Sequence, residues 1–131
     1  MIILDTHIWY WWINLEHDKL SENVLTIIEQ ADAVGISAVS CLEITWLVKK
    51  KSLILPCALN DWLNFAIEES DLISLPVTRE IAVLSGQLPQ HHKDPLDRII
   101  IATAILNSAN LVSIDSKFPL YQELKNYLIR Y

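Results

Sequence analysis

Glycine, cysteine and basic residues are scarce in this chain of 131 residues. It has two glycines and two cysteines, and 16 acidic residues outnumber its 10 lysines and arginines. The formal net charge of −6 gives no global attraction for the phosphates of a nucleic acid. Only a local basic patch, such as the lysines at 49–51, or a bound cation would give part of the surface the positive charge that attracts phosphates. For those lysines we favour a simpler interpretation, a solvated helix end that complements the helix dipole.

Two further absences bear on the compartment. Cys41 and Cys57 have no metal-type spacing and fall within apolar segments, which predicts reduced, packed thiols in a cytoplasmic protein. The apolar N-terminus carries Asp5 and His7, and it has neither a basic start nor a small-residue cleavage site, so it does not predict a signal peptide. No apolar run reaches the ~18 residues that a membrane-spanning helix needs.

The chain length suits one compact domain, so we expect a single domain over residues 1–131. Hydrophobic residues make up 52% of the chain, and the mean hydropathy is +0.28. These values are high for a small soluble monomer. We therefore expect a partner to cover part of the apolar surface.

Short apolar runs alternate with helical patterns along the chain. The runs typical of strands are MIILD, AVGIS, LISLPV and LVSID. The predicted helices are THIWYWWINL, ENVLTIIEQA, VSCLEITWLVKKK, LNDWLNFAIEES, TREIAVLSGQL, residues 95–107 and PLYQELKNYLIRY. Continuous apolar strands separated by helices predict an α/β fold with a central parallel sheet of about four to five strands, covered on both faces.

Four carboxylates stand where this topology brings the strand ends together. Asp5 and Asp115 end the first and last predicted strands. Glu43 lies near the start of the helix after the second strand, and Asp97 lies in the first turn of the helix that precedes the last. Because ligands bind outside the carboxyl ends of parallel strands, we expect these four side chains to converge.

Each carboxylate also has a purely structural interpretation. SCLE at 40–43 matches a capping box, and in DPLD at 94–97 the first aspartate is a plausible N-cap. Four helix caps, however, have no need to share one sheet edge. Like charges about 4 Å apart repel by roughly 4 kcal/mol at an effective dielectric of 20. A divalent cation requires such convergence, and hard oxygen ligands suit Mg²⁺ or Mn²⁺.

Four ordered blocks carry a family resemblance. LDTHIWYWW, ISAVSCLEI, HHKDPLDRIIIATA and LVSID resemble the signature blocks of PIN domains, most of all those of VapC-type toxins. The resemblance runs from Ile3 to about Phe118. It implies a small α/β protein with a central parallel sheet. It also implies an Mg²⁺- or Mn²⁺-dependent endoribonuclease, usually a homodimer, that is inhibited by a VapB-type antitoxin.

The resemblance also assigns residues. The family's acidic positions correspond to Asp5, Glu43, Asp97 and Asp115, expected both to ligate the metal and to act in catalysis. Thr6 and Ser113 fall where the family often has a hydroxyl. Asp94 either joins the site or only caps its helix. The candidates for holding RNA are Arg98, Lys49, Lys50, Lys51, Lys93 and Lys117.

The main alternative is a non-catalytic PIN-like binding or scaffold module with an acidic pocket. Such modules usually lose one or more of the acids, and here all four are present.

The histidines and tryptophans remain to be placed. We expect His7 to pack in the first helical turn, and His91 and His92 to lie in a solvated loop. Trp46 and Trp62 are predicted core residues. Three further tryptophans within four positions cannot all face one core, so at least one should lie at a surface, where we favour an interface with an antitoxin or a second subunit. These three are Trp9, Trp11 and Trp12.

Overall fold

The computed structural model describes residues 1–129, whose centre is a five-stranded parallel sheet. The strands are β1 (Ile2–Leu4), β2 (Val34–Ser37), β3 (Ile73–Leu75), β4 (Asn110–Val112) and β5 (Leu128–Ile129). Their order is β3-β2-β1-β4-β5, and every neighbouring pair is parallel. The predicted α/β class is confirmed, with the strand count at the upper end of the prediction.

Within residues 1–129, six helices connect and cover the strands. They are α1 (Thr6–Ile13), α2 (Glu22–Gln30), α3 (Ala38–Lys49), α4 (Leu59–Leu63), α5 (Arg79–Gln87) and α6 (Pro95–Leu106). A π-helical turn, Asn64–Glu69, continues α4. Side-chain oxygens cap five of the helices; the capping residues are Asp5, Ser21, Ser37, Thr78 and Asp94. Within residues 1–129, no helix has the length and apolar character needed to cross a membrane.

The sheet separates two hydrophobic clusters. On β1, Ile2 and Leu4 belong to one cluster and Ile3 to the other, as expected for side chains that alternate along a strand. The first cluster is built around the fully buried Trp9 and the second around the fully buried Phe118. Both faces are thus covered, which explains why the strands are continuous apolar runs.

The end of the chain differs from its prediction. Instead of one helix, it forms two short 3-10 turns, Phe118–Leu120 and Gln122–Leu124, and then β5. Extended backbone at Tyr121 separates the turns and directs its side chain, with that of Leu124, into the second cluster. β5 then pairs with β4, satisfying backbone groups that would otherwise form an open sheet edge. Residues 130–131 of the predicted helix lie outside the described residues.

Two predicted core residues lie at the surface. Trp46 is 48% exposed, because it lies two positions, about 200° around the helix, after Ile44, which faces the core. Cys57 is exposed, whereas Cys41 is half-buried. The prediction of a buried Trp62 is confirmed. The expected surface tryptophan in α1 is also confirmed, because Trp9 is buried while the other two are only partly so.

Candidate metal centre

Asp5 begins the site directly after β1, where it caps α1. Its carboxylate accepts a hydrogen bond from the backbone N–H of Thr6 at 2.8 Å and another from the hydroxyl of Ser113 at 2.7 Å. Ser113 follows β4, the strand that pairs with β1. One carboxylate is therefore held by groups at the ends of two neighbouring strands.

Glu43 reaches the site from α3. Ser37, not Ser40, caps this helix, so Glu43 lies in its second turn and the capping-box interpretation is wrong. The hydroxyl of Thr6 donates to Glu43 Oε1 at 2.9 Å and lies 2.9 Å from the buried Ser40 Oγ. Ser40, the N-cap of the predicted capping box, instead belongs to a hydrogen-bonded group with Thr6 and Glu43 that joins α1 to α3.

Asp97 enters from the first turn of α6. The N-cap of this helix is Asp94, whose Oδ1 accepts from the backbone N–H of Leu96 at 2.9 Å. Asp97 is thus free of the capping role, and 21% of its side chain is exposed. Asp94 is a cap, and its charge still acts on both Asp97 and Glu43.

Asp115 lies beyond β4. Its Oδ1 accepts a hydrogen bond from the backbone N–H of Lys117 at 2.7 Å and lies 2.9 Å from His92 Nε2. Its own backbone N–H donates to Ser113 Oγ at 3.0 Å. Ser113 therefore contacts both the first and the last of the predicted acids.

His92 is a residue of the site that we did not expect there. It was predicted to lie in a solvated loop, but it is buried, and its ring packs against Phe118 and Tyr121. These aromatic residues lie far away in sequence, so no local pattern indicates the burial. His91 is exposed, as predicted, and His7 is exposed rather than packed.

The acids raise one another's pKa values. Burial, followed by the charges of Asp5, Glu43, Asp94 and Asp115, raises the pKa of Asp97 from 3.8 to about 7. Burial also raises the pKa of Asp5, although the hydrogen bond from Ser113 opposes this. It raises the pKa of Glu43 against the hydrogen bond from Thr6. The structure therefore brings Asp5, Glu43 and Asp115 close enough to Asp97 for their charges to raise its pKa.

This donor set fits a divalent cation. Among residues 1–129, no lysine or arginine forms an ion pair with Asp5, Glu43, Asp97 or Asp115, and the only ion-pair contacts of these acids are with His92. Clustered carboxylate oxygens that lack basic partners are typical of Mg²⁺ and Mn²⁺ sites. Ligand atoms of His92, Asp97 and Asp115 lie within 4.8 Å of one another, a spacing that one ion can bridge.

The sheet and the acids at its carboxyl edge together define the class of protein. A family model described as PIN domain matches residues 2–124, and the chain belongs to this family. The resemblance seen in the four sequence blocks is thereby confirmed.

Comparison with individual proteins shows which members of the family the chain is similar to. The chain is 32% identical over 117 residues to Ribonuclease VapC22 of Mycobacterium tuberculosis (strain ATCC 25618 / H37Rv), covering 88% of each protein. Its fold is similar to that of a chain in VapBC2 from Rickettsia felis bound to a promoter DNA fragment. The TM-score is 0.73 and the identity 21%, and the match covers 100% of this chain and 99% of the other. A chain in a toxin-antitoxin complex from Klebsiella pneumoniae gives a TM-score of 0.64 at 19% identity, and the match covers 98% of this chain and 96% of the other.

Proposed function

We propose that the chain, as one PIN domain over residues 1–131, is a metal-dependent endoribonuclease and the toxin of a VapBC-type toxin–antitoxin pair. The observation that carries this proposal is the convergence of Asp5, Glu43, Asp97 and Asp115, with no lysine or arginine among residues 1–129 paired to them. The relative Ribonuclease VapC22 supports RNA as the substrate, because its similarity spans most of both chains. The cytoplasm, where RNA is abundant, is the proposed location.

Asp5, Asp97 and Asp115 would hold Mg²⁺ or Mn²⁺. Asp5 is oriented by Ser113 and Thr6, so its oxygens are fixed before any cation arrives. A cation bound there supplies Lewis-acid stabilisation of the negative charge that develops on the phosphoryl group. It also allows an acidic pocket to accept a phosphate, because the ion's charge offsets that of the carboxylates.

Glu43 would position the attacking water and take its proton. Its carboxylate is oriented by Thr6, and burial raises its pKa towards the range useful for a general base. In the reaction, the water oxygen bonds to phosphorus, the bond from phosphorus to the leaving ribose oxygen breaks, and that oxygen takes a proton from solvent water. Where two cations bind, Glu43 would also ligate the second.

The placement of the basic residues narrows the candidates for holding RNA. Lys93 and Arg98 are next in sequence to Asp94 and Asp97 at the beginning of α6, and Lys117 is two residues after Asp115, which supports these three as the candidates near the acids. The lysines at 49–51 lie at the far end of α3, where Lys50 is the C-cap. This agrees with their interpretation as a solvated helix end, and we propose the other three as RNA contacts.

Two protein partners are proposed. The R. felis and K. pneumoniae structures are described as VapBC2 and as a toxin-antitoxin complex, which supports a VapB-type antitoxin for this chain. Large apolar side chains are exposed on the described surface, including Leu15 at 76% and Ile54 at 87%. Such a surface fits a partner protein, and we propose both an antitoxin and a second copy of the chain.

Cleavage of total cellular RNA by the purified, antitoxin-free protein tests the proposed function. We expect discrete fragments in Mg²⁺ or Mn²⁺, and none in EDTA or with Asp5→Asn. Asparagine remains a good N-cap, so this variant should keep α1 intact. Asp61→Asn is the matched control, because Asp61 is an exposed aspartate on α4, and it should cleave like the wild type. A folded protein that binds the cation but cuts no RNA would favour the scaffold alternative.

A further inference from the structure

His92 is held in a fixed position between two of the acids. Its backbone N–H donates to Tyr121 Oη at 2.9 Å, and its ring lies edge-on to Phe118, with centroids 5.3 Å apart. Its side chain is 10% exposed. Nε2 lies 2.9 Å from Asp115 Oδ1, and Nδ1 lies 3.4 Å from Asp97 Oδ2. The two ring nitrogens thus face carboxylates from different elements.

The two ring contacts differ in length, which bears on the position of the ring proton. A carboxylate only accepts hydrogen bonds, and Nε2 lies closer to Asp115 than Nδ1 lies to Asp97, at 2.9 against 3.4 Å, so we assign the proton of a neutral imidazole to Nε2, which then donates to Asp115. Nδ1 then turns a lone pair towards an oxygen of Asp97. Two such acceptors repel each other unless a cation lies between them or a proton does, carried by the ring or by Asp97.

We propose that His92 ligates the cation of this site through Nδ1, beside Asp97. This inference rests on the proposed metal-dependent function and adds a nitrogen to a ligand set otherwise made of oxygen. Metal-bound histidines usually donate their other ring N–H to a carboxylate, which is the relation of Nε2 to Asp115 here. Oδ1 of Asp115 is occupied by this contact and by the backbone N–H of Lys117, so Asp115 would contact the cation through Oδ2. Adjacent ligands around an ion with bonds of ~2.1 Å lie ~3 Å apart, close to the separation of Nδ1 and Asp97 Oδ2.

The nitrogen ligand should affect the choice of metal. Mg²⁺ prefers oxygen ligands, whereas an imidazole nitrogen suits divalent transition-metal ions. Mn²⁺ is the transition-metal ion in the series that binds such a nitrogen most weakly, but it accepts one more readily than Mg²⁺ does. His92 therefore biases the site towards Mn²⁺ over Mg²⁺. Its loss should weaken Mn²⁺ binding about 10- to 100-fold and Mg²⁺ binding less, by the scale of metal-site substitutions.

Pulsed electron paramagnetic resonance of the protein with Mn²⁺ alone tests this directly. A directly bound imidazole nitrogen modulates the Mn²⁺ signal, and the modulation changes when all histidines carry nitrogen-15. We expect this signature in the wild type. It should disappear in His92→Gln and persist in His91→Gln, a matched change at the exposed neighbouring histidine. Titration calorimetry with Mn²⁺ and Mg²⁺ measures the accompanying change in affinity.

If His92→Gln does not fold, the signature should persist in each of His7→Gln, His17→Gln and His91→Gln, which assigns the nitrogen to His92 by elimination. Mn²⁺ binding without nitrogen modulation would overturn the role of His92, showing that its contacts with the acids are only an ion pair, while the metal site itself stands. No Mn²⁺ binding by the wild type would overturn both this inference and the metal dependence of the proposed function. A signature that persists in folded His92→Gln would assign the nitrogen to another histidine.

Discussion

The acid cluster has two halves that are supported by different chemistry. In one, Asp5 and Glu43 accept hydrogen bonds from the buried hydroxyls of Ser113 and Thr6. In the other, Asp97 and Asp115 share contacts with His92. The hydroxyls lie at the ends of strands and helices, whereas the histidine is held by aromatic side chains from the end of the chain.

The difference appears in the pKa values. Hydrogen bonds from hydroxyls lower the pKa values of Asp5 and Glu43 and so oppose the effect of burial. No hydroxyl or backbone amide among residues 1–129 donates to Asp97, and burial with four neighbouring charges raises its pKa to about 7. Asp97 is therefore the acid whose ionisation is least compensated by the protein and most dependent on a cation.

The largest effect should come from Asp5→Asn, which removes a carboxylate from the half with hydroxyl support. We expect RNA cleavage in Mn²⁺ to fall at least about 10³-fold, because the cation loses a charged ligand at the centre of the site. Rates from single-turnover assays should be compared with those of Asp61→Asn. A loss below tenfold would show that Asp5 is not essential to the site.

Asp97→Asn should stabilise the cation-free protein. An aspartate whose folded-state pKa is raised binds more protons when folded than when unfolded, so the wild type loses stability as pH rises from about 4 to 7. Above pH 7, the variant should avoid this cost and gain up to about 2 kcal/mol in the free energy of unfolding, because solvent screens the partly exposed carboxylate. Urea unfolding of the wild type and the variant in EDTA, at pH 4 and pH 8, measures this difference in the free energy of unfolding. An equal difference at both pH values would refute the electrostatic explanation.

Thr6→Val should remove the hydroxyl that supports Glu43 and so reduce cleavage activity at low pH. Glu43 loses a hydrogen bond to its charged form, so its pKa should rise further, and cleavage below neutral pH should fall about tenfold. The acidic limb of the pH–rate profile should move to higher pH. Thr6→Ser, which keeps the hydroxyl, should restore the profile. A uniform loss at every pH would indicate a packing defect instead.

The smallest effect is expected for Tyr121→Phe, which tests the support of the histidine half. The backbone N–H of His92 loses its acceptor, at a cost of about 1–2 kcal/mol in the free energy of unfolding. Binding of Mn²⁺ should weaken a few-fold, as judged by calorimetry. Tyr127→Phe is the matched control, and an equal change there would remove Tyr121 from this role.

The two halves also differ in how far the sequence predicted them. Asp5 and Asp115 follow apolar strands and Asp97 follows an Asp-Pro helix start, so local patterns and parallel topology indicated their places. His92 had no such signal, because its burial depends on residues 26 to 29 positions later in a segment predicted as a helix. That segment was misassigned because tertiary burial of Tyr121 and pairing with β4 outweigh its helical pattern.

The N-cap of α3 was also predicted wrongly, and here the cause is local. Both Ser37 and Ser40 are suitable N-cap residues, and the S-x-x-E spacing favoured the later one. The helix begins three residues earlier because β2 ends at Ser37, which leaves Ser40 free to contact Thr6. Sequence patterns alone do not distinguish two such serines when the end of the strand determines where the helix starts.

The thermal unfolding midpoint with and without Mn²⁺ tests most directly whether the acid cluster is a cation site. A ligand at 100 times its Kd stabilises a folded protein by about 2.7 kcal/mol, which for this length corresponds to several degrees. We predict such a rise for the wild type and Asp61→Asn, and little or none for Asp97→Asn. If the wild type shows no rise, or if Asp97→Asn shows the same rise, the four acids do not form the cation site described here.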